Sequence, residues 1–354
     1  MKTRQAKAEA LRTLCQNEVV VKDGPYGTMI QSYALSEGDF RGERFKSVNH
    51  DQKGNNDLLN LSRPDLIAEI AQSYIDAGAQ ILATNTFNAN AISQSDYGME
   101  GHTAEINRAA AQILRRVVDK ASMKNPDNIY FVAGAVGPTN KTLSVSPQVE
   151  NPGYRDVSFD DMKAVYREQI DALLDGGVDF ILIETIFDTL NAKAALMAVA
   201  EAGDALGEDI PVMVSLTITD MAGRNLSGQT PEAFWYSIRH VDPLTVGLNC
   251  SFGARELRPH LAVMSKLSDT LIMAYPNAGL PNDLGAYEET PDETAHLVAE
   301  WMDDDLVNIV GGCCGTTPSH IRSLKRVIHD RPPRQPVELD PAMRLSGLEA
   351  VTLP

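Results

Sequence analysis

The segment Val307-Asn308-Ile309-Val310-Gly311-Gly312-Cys313-Cys314-Gly315-Thr316-Thr317-Pro318 holds a complete strand-to-helix unit. An apolar run short enough for a buried strand leads into a glycine-rich turn, and a Thr-Pro pair then opens a helix. The same unit recurs outward from this point. The runs at 19–21, 80–84, 130–134, 180–184, 212–216, 245–249 and 271–275 make, with 307–310, eight candidate strands. Longer stretches with helical spacing separate them. Thr290-Pro291-Asp292-Glu293 and Thr230-Pro231-Glu232 repeat the helix start, with Thr as cap and Pro at the first helical position. Eight such alternations predict an α/β fold, a single (β/α)8 TIM barrel, over a two-domain doubly wound sheet.

Long connections are expected after the first three strands (residues 24–62, 87–102 and 138–158) and shorter ones after the rest. Returns into strands are brief, as at Ala77-Gly78-Ala79 and Gly176-Gly177-Val178. These extended βα loops belong to the face where barrel strands end, which is where barrel enzymes carry their sites. The barrel is expected over 1–330. Residues 331–354, rich in proline and without sustained periodicity, read as a linker or strap leading toward downstream domains.

Composition narrows the function classes. A net charge of −17 with no local basic patch disfavours nucleic acid as a partner. No apolar stretch approaches the length of a membrane helix, and the first residues lack a signal-peptide core, so no membrane partner and a cytoplasmic location are expected. Four cysteines in 354 residues are too few for a secreted disulfide framework.

Three of those cysteines fall at strand ends: Cys250 after the sixth strand, and Cys313 and Cys314 after the eighth. A disulfide between the two neighbours would be strained, because adjacent Cα atoms lie about 3.8 Å apart, below the usual disulfide range. Cys15 precedes the first strand and reads as a packing residue at the opposite face. Three thiolates without a fourth protein ligand fit an open, working zinc site, since structural zinc closes its shell with four. The rival reading uses Gly311, Gly312 and Gly315 as a phosphate loop, but leaves the converging cysteines unexplained. No histidine of the seven sits at a strand end, and His320 reads as a helix residue. No Gly-x-Ser-x-Gly elbow supports a serine hydrolase.

Asp23-Gly24 with Gly27-Thr28, Thr84-Asn85-Thr86-Phe87, Gly137-Pro138, Glu184-Thr185, Gly247-Leu248-Asn249-Cys250 and Gly311-Gly312-Cys313-Cys314-Gly315 together resemble the homocysteine-binding methyltransferase family over roughly residues 18 to 330. The resemblance implies that Cys250, Cys313 and Cys314 ligate one zinc and that homocysteine is the substrate. It further implies Asp23 and Glu184 as partners of the substrate ammonium, and the backbone around Gly24, Gly27 and Thr28 as the carboxylate site. Asn85 and Asn249 are then supporting residues, and Asn277 a possible fourth ligand when substrate is absent.

Within the family, Ala274-Tyr275-Pro276-Asn277-Ala278-Gly279 and Pro341-Ala342-Met343-Arg344-Leu345-Ser346-Gly347 are similar to the N-terminal module of cobalamin-dependent methionine synthases. That likeness implies methylcobalamin as donor, carried by a separate cobalamin-binding domain, with a folate-binding domain as further partner. This chain has no Asp-x-His-x-x-Gly motif to hold cobalamin itself. A free-standing methyltransferase using S-methylmethionine or betaine is the alternative, and a non-catalytic zinc-binding module is the reading from another class. Homocysteine's thiol, with a pKa of about 8.5, is mostly protonated at neutral pH, which is the problem a metal would solve.

Overall fold

The computed structural model describes residues 3–329 and 331–353. Asp330, where the expected barrel boundary falls, lies outside the described residues. Eight parallel strands form one sheet: β1 Val20–Val21, β2 Ile81–Ala83, β3 Phe131–Val136, β4 Phe180–Ile186, β5 Val212–Leu216, β6 Thr245–Asn249, β7 Leu271–Tyr275 and β8 Ile309–Val310. Their order is β1-β8-β7-β6-β5-β4-β3-β2. The seam between β1 and β2 closes through one bridge, Lys22 to Ile81, where Asp23 N donates to Ile81 O at 2.9 Å and Gln80 N to Val21 O at 2.7 Å. This is the expected (β/α)8 barrel.

Alternation along each strand explains why the barrel fills. Val20, Ile81, Phe131, Ala133, Phe180, Leu182, Met213, Met273 and Ile309 pack together in the interior, while their neighbours Val21, Leu82, Val132, Ile181, Val214, Ile272 and Val310 face the helices. The helix Arg4–Asn17 brings Ala8, Leu11 and Cys15 into the inner cluster at the strands' starting end. Cys15 is therefore a packing residue, as expected, and burial pushes its thiol well above the ordinary range. The same alternation, one step further along the strands, replaces apolar side chains with Lys22, Glu184, Ser215, Asn249 and Cys313. The polar rung that results lies above the apolar floor.

The predicted helix starts form as read. Thr290 and Glu293 make a reciprocal capping box, and Thr230 accepts from Ala233 N. Long connections, however, are not confined to the first three strands: residues 217–230 after β5 and 276–290 after β7 are also extended. The latter wraps the cysteines, and the former meets the end of the chain.

That end is more ordered than its composition suggests. Met343–Ser346 (β9) and Ala350–Leu353 (β10) pair antiparallel as a hairpin against the helix Pro231–Ile238. Ser346 Oγ donates to Ala233 O at 2.6 Å, and Thr230 N donates to Leu348 O at 3.2 Å. Upstream, Arg334 is buried and its guanidinium donates to Ser265 O at 2.7 Å and Thr270 O at 2.9 Å. Asn308 Nδ2 in turn donates to Arg334 O at 2.6 Å. Burial lowers the Arg334 pKa to about 10, so these carbonyl contacts are what hold the guanidinium in place. Replacing Arg334 by Ala should cost about 2–3 kcal/mol of stability, because carbonyls that accepted a charged donor lose it. Urea unfolding measures this, and an unchanged midpoint would show that residues 331–353 add nothing to the barrel's stability.

Candidate metal and substrate site

Cys250 follows β6 directly, and Cys313 and Cys314 lie just past β8, with β7 between the two strands in the sheet. All three sulfurs lie within 4.8 Å of one another, Cys250 Sγ and Cys314 Sγ at 3.7 Å. The backbone after β7 splints them. Cys250 N donates to Tyr275 O at 3.3 Å, Cys313 N to Pro276 O at 2.8 Å, and Ala278 N to Cys314 O at 2.9 Å. Asn277 Oδ1, the expected stand-in ligand, accepts from Cys314 N at 3.1 Å and so lies against the loop that carries a sulfur. On the other side, Gly315 N donates to Thr28 Oγ1 at 3.0 Å, tying the cysteine loop to the first βα loop. Gly315 has φ +80°, and a Cβ there would lie 2.3 Å from Tyr287 Cβ, so only glycine lets the turn pass beneath that ring.

Backbone strain collects at the same rim. Thr185, Cys250 and Ser251 adopt φ values of 57°, 62° and 60°, a region worth about 1–3 kcal/mol of strain for a non-glycine residue. Asn249 holds the first of these: its Oδ1 accepts from Thr185 N at 3.0 Å and from Ser215 Oγ at 2.6 Å, and its Nδ2 donates to Thr185 Oγ1 at 2.8 Å.

Electrostatics shows why a cation fits. Hydrogen bonds from Cys250 and Cys313 hold the Cys314 thiol down to about 3. For Cys250 a hydrogen bond with Cys313 pulls the pKa down, but its bond to Cys314, burial and the neighbouring charge together push it up to about 12. The cluster thus carries one negative charge readily and resists more. A divalent ion removes that resistance, and three sulfur donors suit a thiophilic metal. Among the described residues this is the group of Cys, His, Asp or Glu side chains placed to hold a metal ion.

The sulfurs open into a cavity of about 520 Å³, large enough for an amino-acid substrate. Gly24, Gly27, Thr28, Asn85, Glu184 and the three cysteines line it; Asp23, Asn249 and Asn277 do not. His320 is a helix residue as read, its Nδ1 accepting from Thr317 N at 3.2 Å and its Nε2 paired with Glu289 O at 3.0 Å.

A family model described as homocysteine S-methyltransferase matches residues 20–328. The chain belongs to this family. Among solved structures, the homocysteine methyltransferase MmuM from Escherichia coli in its metallated form superimposes with a TM-score of 0.69 at 22% identity, covering 89% of this chain and 98% of that one. Its oxidized form gives 0.66 at 22% identity, covering 87% and 95%. Membership makes this homocysteine S-methyltransferase family chain a methyltransferase, and homocysteine methylation is the activity that goes with it.

Several side chains in the family's pocket were not singled out from sequence. Lys22 Nζ sits 2.9 Å from Asp23 Oδ1 and 4.6 Å from the centroid of the Tyr275 ring. Tyr275 OH donates to Glu184 Oε2 at 2.8 Å. Burial alone would strip the Lys22 proton, but Asp23 and Glu184 outweigh it and hold the ammonium charged. Alternation from Val20 would have pointed to Lys22 as an inward residue. Tyr287, from the loop after β7, lines the cavity with the cysteines and packs on Gly315.

Asp57 is a further lining carboxyl, reached by Asn88 N at 3.0 Å; burial pushes its pKa up to about 7. An acid whose folded pKa lies above its unfolded value binds more protons when folded, so stability falls as pH rises from about 4 to about 7. Asp57→Asn should remove that slope and leave the variant more stable than wild type at pH 8 by a few kcal/mol. Denaturant midpoints from pH 4 to 8 test it, and parallel profiles for the two proteins would contradict it.

Proposed function

We propose that this chain methylates homocysteine on sulfur to give methionine, with zinc held by Cys250, Cys313 and Cys314 and with methylcobalamin as the methyl donor. The observation that carries this reading is the cluster of three sulfurs opening into a substrate-sized cavity in a chain of this family. Bound zinc would supply Lewis acidity at the open fourth position, favouring the thiolate of homocysteine while three anionic protein thiolates keep that sulfur electron-rich. The new S–C bond uses the sulfur's electron pair. The donor keeps the pair of the bond that breaks, and the thiol proton leaves to solvent.

The chain's own residues bind and orient. Glu184 lies on the cavity wall, where a carboxylate can take the substrate ammonium, and burial, which raises its pKa, makes a cationic partner there valuable. Backbone around Gly24, Gly27 and Thr28 lines the part of the cavity next to the cysteine loop and is assigned to the carboxylate. Asn85 donates to Asn56 O at 2.8 Å and Asn249 clamps Thr185, so both act by fixing loops. Asn277 is assigned to positioning Cys314, which leaves the fourth metal position to the substrate.

The methyl donor would reach the cavity from partner domains that bind cobalamin and folate. One observation favours a second donor reading: the chain matches 95–98% of MmuM, so a barrel of this extent suffices for that homocysteine methyltransferase. A free-standing enzyme using S-methylmethionine or betaine would fit it. A donor panel with zinc-loaded protein and homocysteine separates the two: methylcobalamin is expected to yield methionine, and turnover with the sulfonium or betaine alone would assign the second reading. Cys313→Ala should lose tight zinc binding and methyl transfer with any donor while its circular dichroism stays that of the folded barrel. Zinc retained at full activity would reject the site.

A further inference from the structure

The turn that carries Cys313 and Cys314 is held from two sides, and the two sides differ in kind. On one side Pro276 O takes Cys313 N, Asn277 Oδ1 takes Cys314 N, and Ala278 N donates to Cys314 O. These three residues serve the sulfur end alone, since none of them lines the cavity. The contact on the other side does more. Gly315 N donates to Thr28 Oγ1 at 3.0 Å, and Thr28 lines the cavity beside Gly27, in the stretch assigned above to the substrate carboxylate. Gly315 follows Cys314 directly, with φ +80° and with Tyr287 Cβ 2.3 Å from where its own Cβ would stand, so the turn is pressed between that ring and the Thr28 hydroxyl. One residue thus reaches both halves of the site, by its backbone at the amino-acid end and by its side chain at the sulfur end.

We propose that Thr28 is a positioning residue that couples the two ends: its hydroxyl, bonded to Gly315 N, sets where Cys314 stands and transmits occupancy of the amino-acid end to the metal site. In this role it acts through Gly315 and Cys314, not on the reacting sulfur. A ligand that restrains the chain at Gly27 and Thr28 restrains the hydroxyl as well, so the turn bearing Cys314 is already ordered when the metal arrives. Linkage makes the effect reciprocal, and bound metal should tighten the amino-acid end by the same factor. The coupling rests on the homocysteine reading given above and deepens it; the hold on Cys314 stands on the hydrogen bond itself.

The test is the zinc dissociation constant of the full chain, read by chelator competition with and without saturating L-2-aminobutanoate, which keeps the amino-acid end of homocysteine and has no thiol. In wild type this ligand should tighten zinc by about fivefold or more. Thr28→Val keeps the shape of the side chain and removes the acceptor, so zinc should weaken by about tenfold, the value of one hydrogen bond, and L-2-aminobutanoate should no longer change it. Thr28→Ser, which keeps the hydroxyl, should restore both. A merely structural Thr28 would weaken zinc equally in the presence and absence of the ligand and leave the linkage intact, and that result overturns the coupling. Wild-type zinc affinity in Thr28→Val, or a Thr28→Ser protein that behaves like it, overturns the hold on Cys314. Calorimetry of L-2-aminobutanoate and homocysteine on the same proteins separates these failures from that of the underlying reading. A wild type that binds neither amino acid loses the homocysteine reading and the coupling together, while the zinc constants of the two variants still decide the hold on Cys314. Binding that leaves the wild-type zinc constant unmoved removes the coupling alone.

Discussion

Three thiols held within 4.8 Å of one another cannot all ionise unless a cation stands among them, and the rim of this barrel is arranged around that constraint. Parallel register supplies the approach: Asn249 pairs with Tyr275, and Ala274 with Val310, so residues just past β6 and β8 meet above β7. The strand between contributes no sulfur. Its outgoing backbone accepts the N–H groups of Cys250 and Cys313 and donates to Cys314 O, fixing three side chains on two strands without a covalent link. The left-handed conformations at Cys250, Ser251 and Thr185 are the cost of turning the chain sharply there, offset by hydrogen bonds such as those of Asn249.

A second charged layer lies beside the first. Lys22 and Glu184 line the cavity with Cys313, Lys22 reaches Asp23 behind the wall, and Tyr275 joins Lys22 through its ring and Glu184 through its hydroxyl. A substrate spanning the cavity would meet sulfur chemistry at one end and carboxylate recognition at the other. Glu184 is mounted on β4, and the cysteines, just past β6 and β8, are tied by backbone hydrogen bonds to the chain leaving β7, which keeps their separation fixed.

Much of this was legible in the sequence because barrel strands buried on both faces read as short Val/Ile/Leu runs, and because Thr-Pro-x-Glu starts announce helices. The convergence of Cys250, Cys313 and Cys314 followed from placing each at a strand end, and it needed no ligand-spacing signature. Lys22 escaped because a lysine directly after the run Val19-Val20-Val21 reads as the solvated end of a strand, although the period of two from Val20 aims it inward. The β9–β10 hairpin escaped for another reason. Its Met343, Leu345, Val351 and Leu353 remain exposed, so no buried face imposed a clear pattern. Loop lengths after β5 and β7 are set by what the loops wrap, the hairpin in one case and the cysteine pair in the other, and periodicity carries no record of that.

The account's central claim is that the three sulfurs form an open metal site completed by the substrate's own sulfur. X-ray absorption at the zinc edge, on loaded protein before and after addition of homocysteine, measures it directly. The predicted result is three sulfur neighbours at about 2.3 Å rising to four when homocysteine is added. Four sulfurs before addition, or a count that homocysteine leaves unchanged, would contradict it.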